Sequence, residues 1–151
     1  MIIDVIKLKS SGKDFLDFSF DYDYEDKSSL IPDAVIDGAI NFTGSLQLHR
    51  DDVYVDGIIS CTIVGKCARC LEEVVYNFSS PISLSYVRTN PNEEDYLYKS
   101  GRVDFREAVN DFLVVNLPTI IYCKQDCKGL CHICGTDLNE FECNCESDTI
   151  D

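Results

Sequence analysis

No stretch of this sequence approaches the roughly 18 consecutive apolar residues of a membrane span. The opening MIIDVIKLKSSGKDF lacks the basic segment, apolar core and small-residue cleavage site of a secretory leader. Both absences predict a cytoplasmic protein with no membrane partner. Histidine is scarce, occurring only as His49 and His132. No Ser/His/Asp set can be assembled, and neither a glycine-rich phosphate loop nor a convincing carboxylate pair replaces it, so a non-catalytic role is expected. Positive charge is scarce too. Lys and Arg number 13 against 27 Asp and Glu, for a formal net charge of −14. Such a surface repels phosphate backbones and anionic lipid and attracts basic partners.

What is present is apolar substance and cysteine. Apolar residues make up 45% of the 151-residue chain, which argues against disorder throughout. That length suits one domain with a small appendage. Leu16, Phe18, Phe20, Tyr22 and Tyr24 share one parity, with Asp17, Ser19, Asp21 and Asp23 between them, the two-residue period of a strand with one wet face. Glu25 to Ser29 reads as a loop, ended by Pro32.

Three longer strands are predicted next. In the first, Ala34, Ile36, Ile40, Phe42, Leu46 and Leu48 hold the even positions, with Gly38 and Gly44 as candidate bulges or bends. Arg50-Asp51-Asp52 reads as a turn into a second strand, Val53 to Val64. A third runs from Val74 to Val87. The fold class predicted is β-rich α+β: an antiparallel meander whose long strands curl into a barrel or sandwich.

Thr89 to Gly101 is polar and reads as a loop. A single helix is predicted over about 104–116. Asp104 stands as its N-cap, Glu107 completes a capping box, and Phe105, Ala108, Val109, Phe112 and Leu113 form a core-facing stripe ended by Pro118. Residues 1–122 would thus form the β domain. Residues 123–151 would form a tail too poor in apolar residues to fold without metal or a partner.

Nine cysteines are many for a reducing compartment, where paired cysteines are more often metal ligands or redox centres than disulfides. Cys67-Ala-Arg-Cys70 lies between predicted strands. A redox Cys-x-x-Cys favours a strand-to-helix setting, so metal is the preferred reading. Cys123-x3-Cys127, Cys131-x2-Cys134 and Cys143-x-Cys145 follow, six cysteines within the tail. In Cys131-His-Ile-Cys134-Gly135, a zinc-knuckle pattern, the glycine lets backbone amides turn toward sulfur. Four pairs divide into two tetrahedral zinc sites. Cys143-x-Cys145 is tighter than the usual spacing, which leaves a single zinc as the alternative count. All-cysteine sites are closed and structural, whereas catalytic zinc keeps an open position. Four thiolates on one Zn²⁺ carry −4 + 2 = −2, so loading would not offset the acidity. Cys61, at an apolar position of a strand, is read as a small buried hydrophobe. His49 is placed on a solvated strand face, and His132 is not expected to be a ligand.

The run Cys123-Lys-Gln-Asp-Cys127-Lys-Gly-Leu-Cys131-His-Ile-Cys134-Gly-Thr-Asp137-Leu-Asn139, then Cys143-Asn-Cys145, taken with Cys67-Ala-Arg-Cys70-Leu-Glu, resembles the YceD family of large ribosomal RNA subunit accumulation proteins. The resemblance extends to the β-rich front and to a helix ending in Leu117-Pro118. Some members of that family lack the last cysteines. This implies that Cys67, Cys70, Cys123 and Cys127 form one site and that Cys131, Cys134, Cys143 and Cys145 form an accessory one. It also implies a role in large-subunit ribosomal RNA processing or accumulation.

The leading functional expectation is a zinc-binding accessory factor in large-subunit assembly. Its acidic surface would suit a basic ribosomal protein or precursor particle better than naked RNA. A redox-sensing or metal-handling thiolate protein is the alternative, and an enzyme acting on RNA ranks last.

Overall fold

The computed structural model describes residues 1–24 and 31–145. The predicted loop Glu25 to Ser29 and the end of the tail, 146–151, lie outside the described residues.

The meander is present and longer than predicted. Strand β1 (Ile2–Asp4) leads into helix α1 (Val5–Ser10), followed by β2 (Phe15–Tyr22), β3 (Ala34–His49), β4 (Asp52–Lys66) and β5 (Glu73–Val87). Short strands β6 (Asp95–Leu97) and β7 (Arg102–Asp104) precede helix α2 (Arg106–Asn116). The main sheet has the order β2-β3-β4-β5-β6. Its first four strands are antiparallel, while β6 joins β5 in parallel. A second, two-stranded sheet pairs β1 with β7. The main sheet is not closed into a barrel: β2 and β6 stand at opposite edges, and no pairing joins them among the described residues.

Alternation decides which face is dry. Ile36, Ile40, Phe42 and Leu46 of β3 are buried, as are Val53, Val55, Ile59, Cys61 and Ile63 of β4 and Val74, Phe78, Ile82 and Tyr86 of β5. The one irregularity falls at Gly38, whose φ is +77°. Between the pairs Asp37↔Thr62 and Asn41↔Ser60, β3 advances four residues while β4 advances two. The excess is an even number, so Ile40 and Phe42 stay on the same face as Ile36. A single extra residue would have turned the rest of the strand inside out. Gly44 marks no bulge. It faces Gly57 across the ladder, where an added Cβ would come within 2.3 Å of the Asp56 carbonyl oxygen.

The dry face is covered by α2 and the residue before it. Phe105 is fully buried, and its ring lies 5.2 Å from Phe18, 5.4 Å from Phe42 and 5.7 Å from Tyr86. Burial of such a ring stabilises by about 1.5–3 kcal/mol before the aromatic contacts are added. Ala108, Val109 and Leu113 continue the buried stripe, and Phe112 is half-buried.

Three details differ from the sequence reading. The capping box does not form. Asp104 ends β7, Phe105 takes the N-cap position without a side-chain cap, and the Asp104 carboxylate instead accepts from the Arg106 amide at 3.1 Å. A charged partner two residues on outcompetes the reciprocal bond with Glu107, because the Arg106 guanidinium binds both carboxylate oxygens. Helix α1 was unforeseen. It is a short helix of 6 residues capped by Asp4, which accepts from the Lys7 amide at 3.0 Å. The stretch predicted as a loop, Thr89 to Gly101, contains β6, in which Asp95 and Tyr96 are half-buried and Leu97 is exposed.

Candidate metal centre

The first cysteine pair sits where the chain turns from β4 to β5. Cys67 is fully buried and Cys70 nearly so. The Leu71 amide donates to the Cys67 carbonyl at 2.9 Å, and the Cys67 amide donates to the Glu72 carbonyl at 2.8 Å. Leu71 adopts φ +64°, a left-handed conformation that a non-glycine residue enters at a cost of about 1–2 kcal/mol.

The same turn recurs in the tail. The Gly135 amide donates to the Cys131 carbonyl at 2.8 Å, the Cys131 amide donates to the Thr136 carbonyl at 2.8 Å, and Gly135 has φ +75°. The glycine signature was legible at the second turn and hidden at the first, where leucine fills the strained position.

The turns bring the eight cysteines into two groups. Cys67, Cys70, Cys123 and Cys127 form one, and Cys131, Cys134, Cys143 and Cys145 the other. Within each, all four sulfurs lie within 4.8 Å of one another. Cys67 Sγ is 3.8 Å from Cys127 Sγ, and Cys70 Sγ is 3.6 Å from Cys123 Sγ. All nine cysteines are free thiols. These separations exceed the about 2.05 Å of a disulfide. They match the about 3.8 Å edge of a tetrahedron whose corners lie about 2.3 Å from a central zinc. Each group can therefore hold a metal ion of that kind. Cys61 lies apart, buried in β4, and burial pushes its thiol up to about 11. His49 and His132 are exposed and belong to neither group.

Ionisation within each group is uneven. At Cys67 burial raises the pKa, but backbone hydrogen bonds from Cys70, Cys123 and Arg69 outweigh it and bring the thiol down to about 6. Cys123 is pushed up to about 12 by burial and the neighbouring Cys127 and Cys70 thiols. In the second group, the Thr136 hydroxyl and amide bring Cys134 down to about 6. Contact with the Cys134 thiol, then burial, holds Cys145 up at about 12. Lowered and raised thiols thus sit side by side in each group, and ionisation of all four sulfurs needs a cation among them.

Residues that the spacing rules did not single out support the first group. Asn139 donates from Nδ2 to Cys127 Sγ at 3.4 Å and accepts from the Lys128 amide at 2.9 Å. Its position is held by the Asp137 carboxylate. Arg69 donates to the Cys127 carbonyl at 2.9 Å and lies 4.7 Å from the centroid of the Tyr122 ring, tying the β4–β5 turn to the tail. The Leu130 amide returns to the Arg69 carbonyl at 3.1 Å. Asn139 sits in the cysteine-rich run itself, but only the fold shows that it serves a sulfur of the other group.

The arrangement defines a β-sheet protein with two four-thiol clusters of metal-site geometry, one at the sheet turn and one in the tail. The family model "Large ribosomal RNA subunit accumulation protein YceD" matches residues 55–151, and the chain belongs to the YceD family. It is 31% identical over 107 residues to an uncharacterized protein of Mycobacterium leprae (strain TN), covering 66% of this chain and 49% of that one. It is 30% identical over 95 residues to uncharacterized proteins of Mycobacterium bovis and Mycobacterium tuberculosis, covering 58% of this chain and 46% of each of those. The chain thus spans about half the length of these relatives. No solved structure matches it. No helix among the described residues is long and apolar enough to cross a membrane.

Proposed function

We propose that this chain is a zinc-loaded, non-catalytic factor that supports accumulation of large-subunit ribosomal RNA by binding a basic ribosomal protein or a precursor particle. The observation that carries the metal half of this reading is the convergence of two all-sulfur groups, the four sulfurs of each lying within 4.8 Å of one another. Thiolates favour zinc, and four of them leave no open position for a substrate. Family membership supports the ribosomal half. The net charge of −14 favours a basic protein over bare RNA. In this reading, residues 1–122 fold as the sheet domain and metal orders 123–151.

The experiment is elemental analysis with thiol counting on protein purified without added metal, paired with measurement of large-subunit ribosomal RNA in cells lacking the chain. Two zinc ions with one free thiol, and ribosomal RNA levels restored by the wild-type chain, are expected. One zinc with four or five free thiols overturns the two-site count. Unchanged large-subunit RNA overturns the ribosomal role.

A metal-handling or redox role is the second reading, favoured by one observation: Cys134 is exposed while Cys67 is fully buried. Under mild peroxide, loss of one zinc from the tail group in step with a change in activity would favour it. Full retention would dismiss it.

A further inference from the structure

The two edges of the main sheet are unlike. Strand β2 carries Asp17 and Asp21 on its exposed face, and charges of this kind keep other strands away from an edge. Strand β5 carries no charged residue from Val74 to Val87, in a chain that is 26% charged. Yet β6 covers β5 only at Ser85, Tyr86 and Val87.

The direction of the free backbone groups follows from register. The pairing of β4 with β5 runs unbroken from Val53↔Tyr86 to Lys66↔Glu73, so successive residues of β5 point alternately toward β4 and away from it. The Val87 carbonyl accepts from the Tyr98 amide at 3.1 Å, on the side away from β4. Odd-numbered residues therefore face outward. Pro81, which has no N–H to give, sits at one of these outward positions. Among the described residues, no strand pairs with the outward groups of Val75, Asn77, Ser79 and Ser83. Beside this edge, a groove of about 320 Å³ opens between β5 and α2, lined by Pro81, Ile82, Leu84, Tyr96, Phe112 and Val115, with Asp111 at its wall. Val114 and Val115 of α2 are 66% and 79% exposed.

We propose that the β5 edge receives an extended, cationic segment of a partner protein as an added strand, with alternate side chains entering the groove against α2. Backbone pairing would supply affinity and the groove selectivity. The charge of −14 favours a cationic segment and opposes pairing with a second copy of the chain. This rests on the basic-partner reading given above and deepens it by naming the surface.

The test uses the full zinc-loaded chain and two synthetic nonapeptides of alternating lysine and valine, one of them N-methylated on alternate residues. The unmodified peptide should slow hydrogen exchange at Val75, Asn77, Ser79 and Ser83 more than tenfold, and the N-methylated one should not. Ser79→Pro removes an outward donor without touching the β4 ladder, as Pro81 already does. It should keep zinc content and circular dichroism while weakening the peptide, and precursor large subunits in co-sedimentation, at least tenfold. Equal binding of both peptides, or an undiminished Ser79→Pro, overturns the edge and leaves the basic-partner reading standing. If neither peptide nor particle binds, both fail. Protection of the β5 edge in a dimer without peptide assigns the edge to a second copy and overturns the proposal.

Discussion

Asn139 holds a sulfur of the first cysteine group from within the segment that the second group spans. Groups that orient a metal ligand in this way are worth about 10–100-fold in metal affinity. Asn139→Ala should therefore speed zinc loss from the first group about 10-fold against a chromophoric chelator, with the β fold unchanged by circular dichroism. Cys61 offers a test free of metal. Its thiol is buried, 7% exposed, and raised to about 11 from an ordinary value of 9.0. The unfolded chain ionises first, so this contribution is fully present below pH 9 and is lost as pH rises toward 11. The shift corresponds to about 2–3 kcal/mol. Urea unfolding at pH 8.5 and 11 should show a steeper alkaline loss for the wild type than for Cys61→Ala. Parallel slopes would mean that Cys61 ionises alike in both states. The burial of Cys61 was legible in the sequence because β4 alternates without interruption. Asn139 was not, because its partner is twelve residues away and the intervening chain has no period.

The two Cys-x-x-Cys turns share one backbone and differ in what they anchor. The first is tied to the tail by Cys123 and Cys127, and by the bonds from Ala68 to Ile121 and from Leu130 to Arg69. The second closes on itself through Cys143 and Cys145. Cys70→Ser should therefore release the tail from the sheet, whereas Cys134→Ser should expose only the residues after about 130. Limited proteolysis separates the two outcomes. Cleavage within the sheet of Cys134→Ser, with Cys70→Ser protected throughout, would reverse this assignment. The long strands were readable because each has one dry face and so a two-residue period. The short elements α1, β6 and β7 were not, since three to six residues hold too little pattern to outweigh a polar composition. The missing capping box has a related cause. The spacing of Asp104 and Glu107 was right, but Asp104 was already engaged with Arg106.

At the scale of the molecule, one apolar cluster joins the inner face of the sheet, α2 and three cysteines of the first group, Cys67, Cys70 and Cys127. A barrel or sandwich was expected, with the apolar stripe of the predicted helix facing the core. The helix does cover that face, while the sheet stays open and keeps two edges of unlike character. Long-range attraction should govern partner choice. The Debye length is about 8 Å at physiological ionic strength, so binding to a basic ribosomal protein should weaken steadily as salt rises. Tight, salt-insensitive association with bare ribosomal RNA would contradict it. The first cysteine group also has a consequence in time. Cys70 and Cys123 are 53 residues apart. At a synthesis rate of about 5–20 residues per second, the half-site at the β4–β5 turn waits roughly 3–10 s for its complement. During that interval two thiols stand at the end of a nascent hairpin without their partners. The chain must then be completed by its own tail before another cysteine or a stray metal claims the half-site.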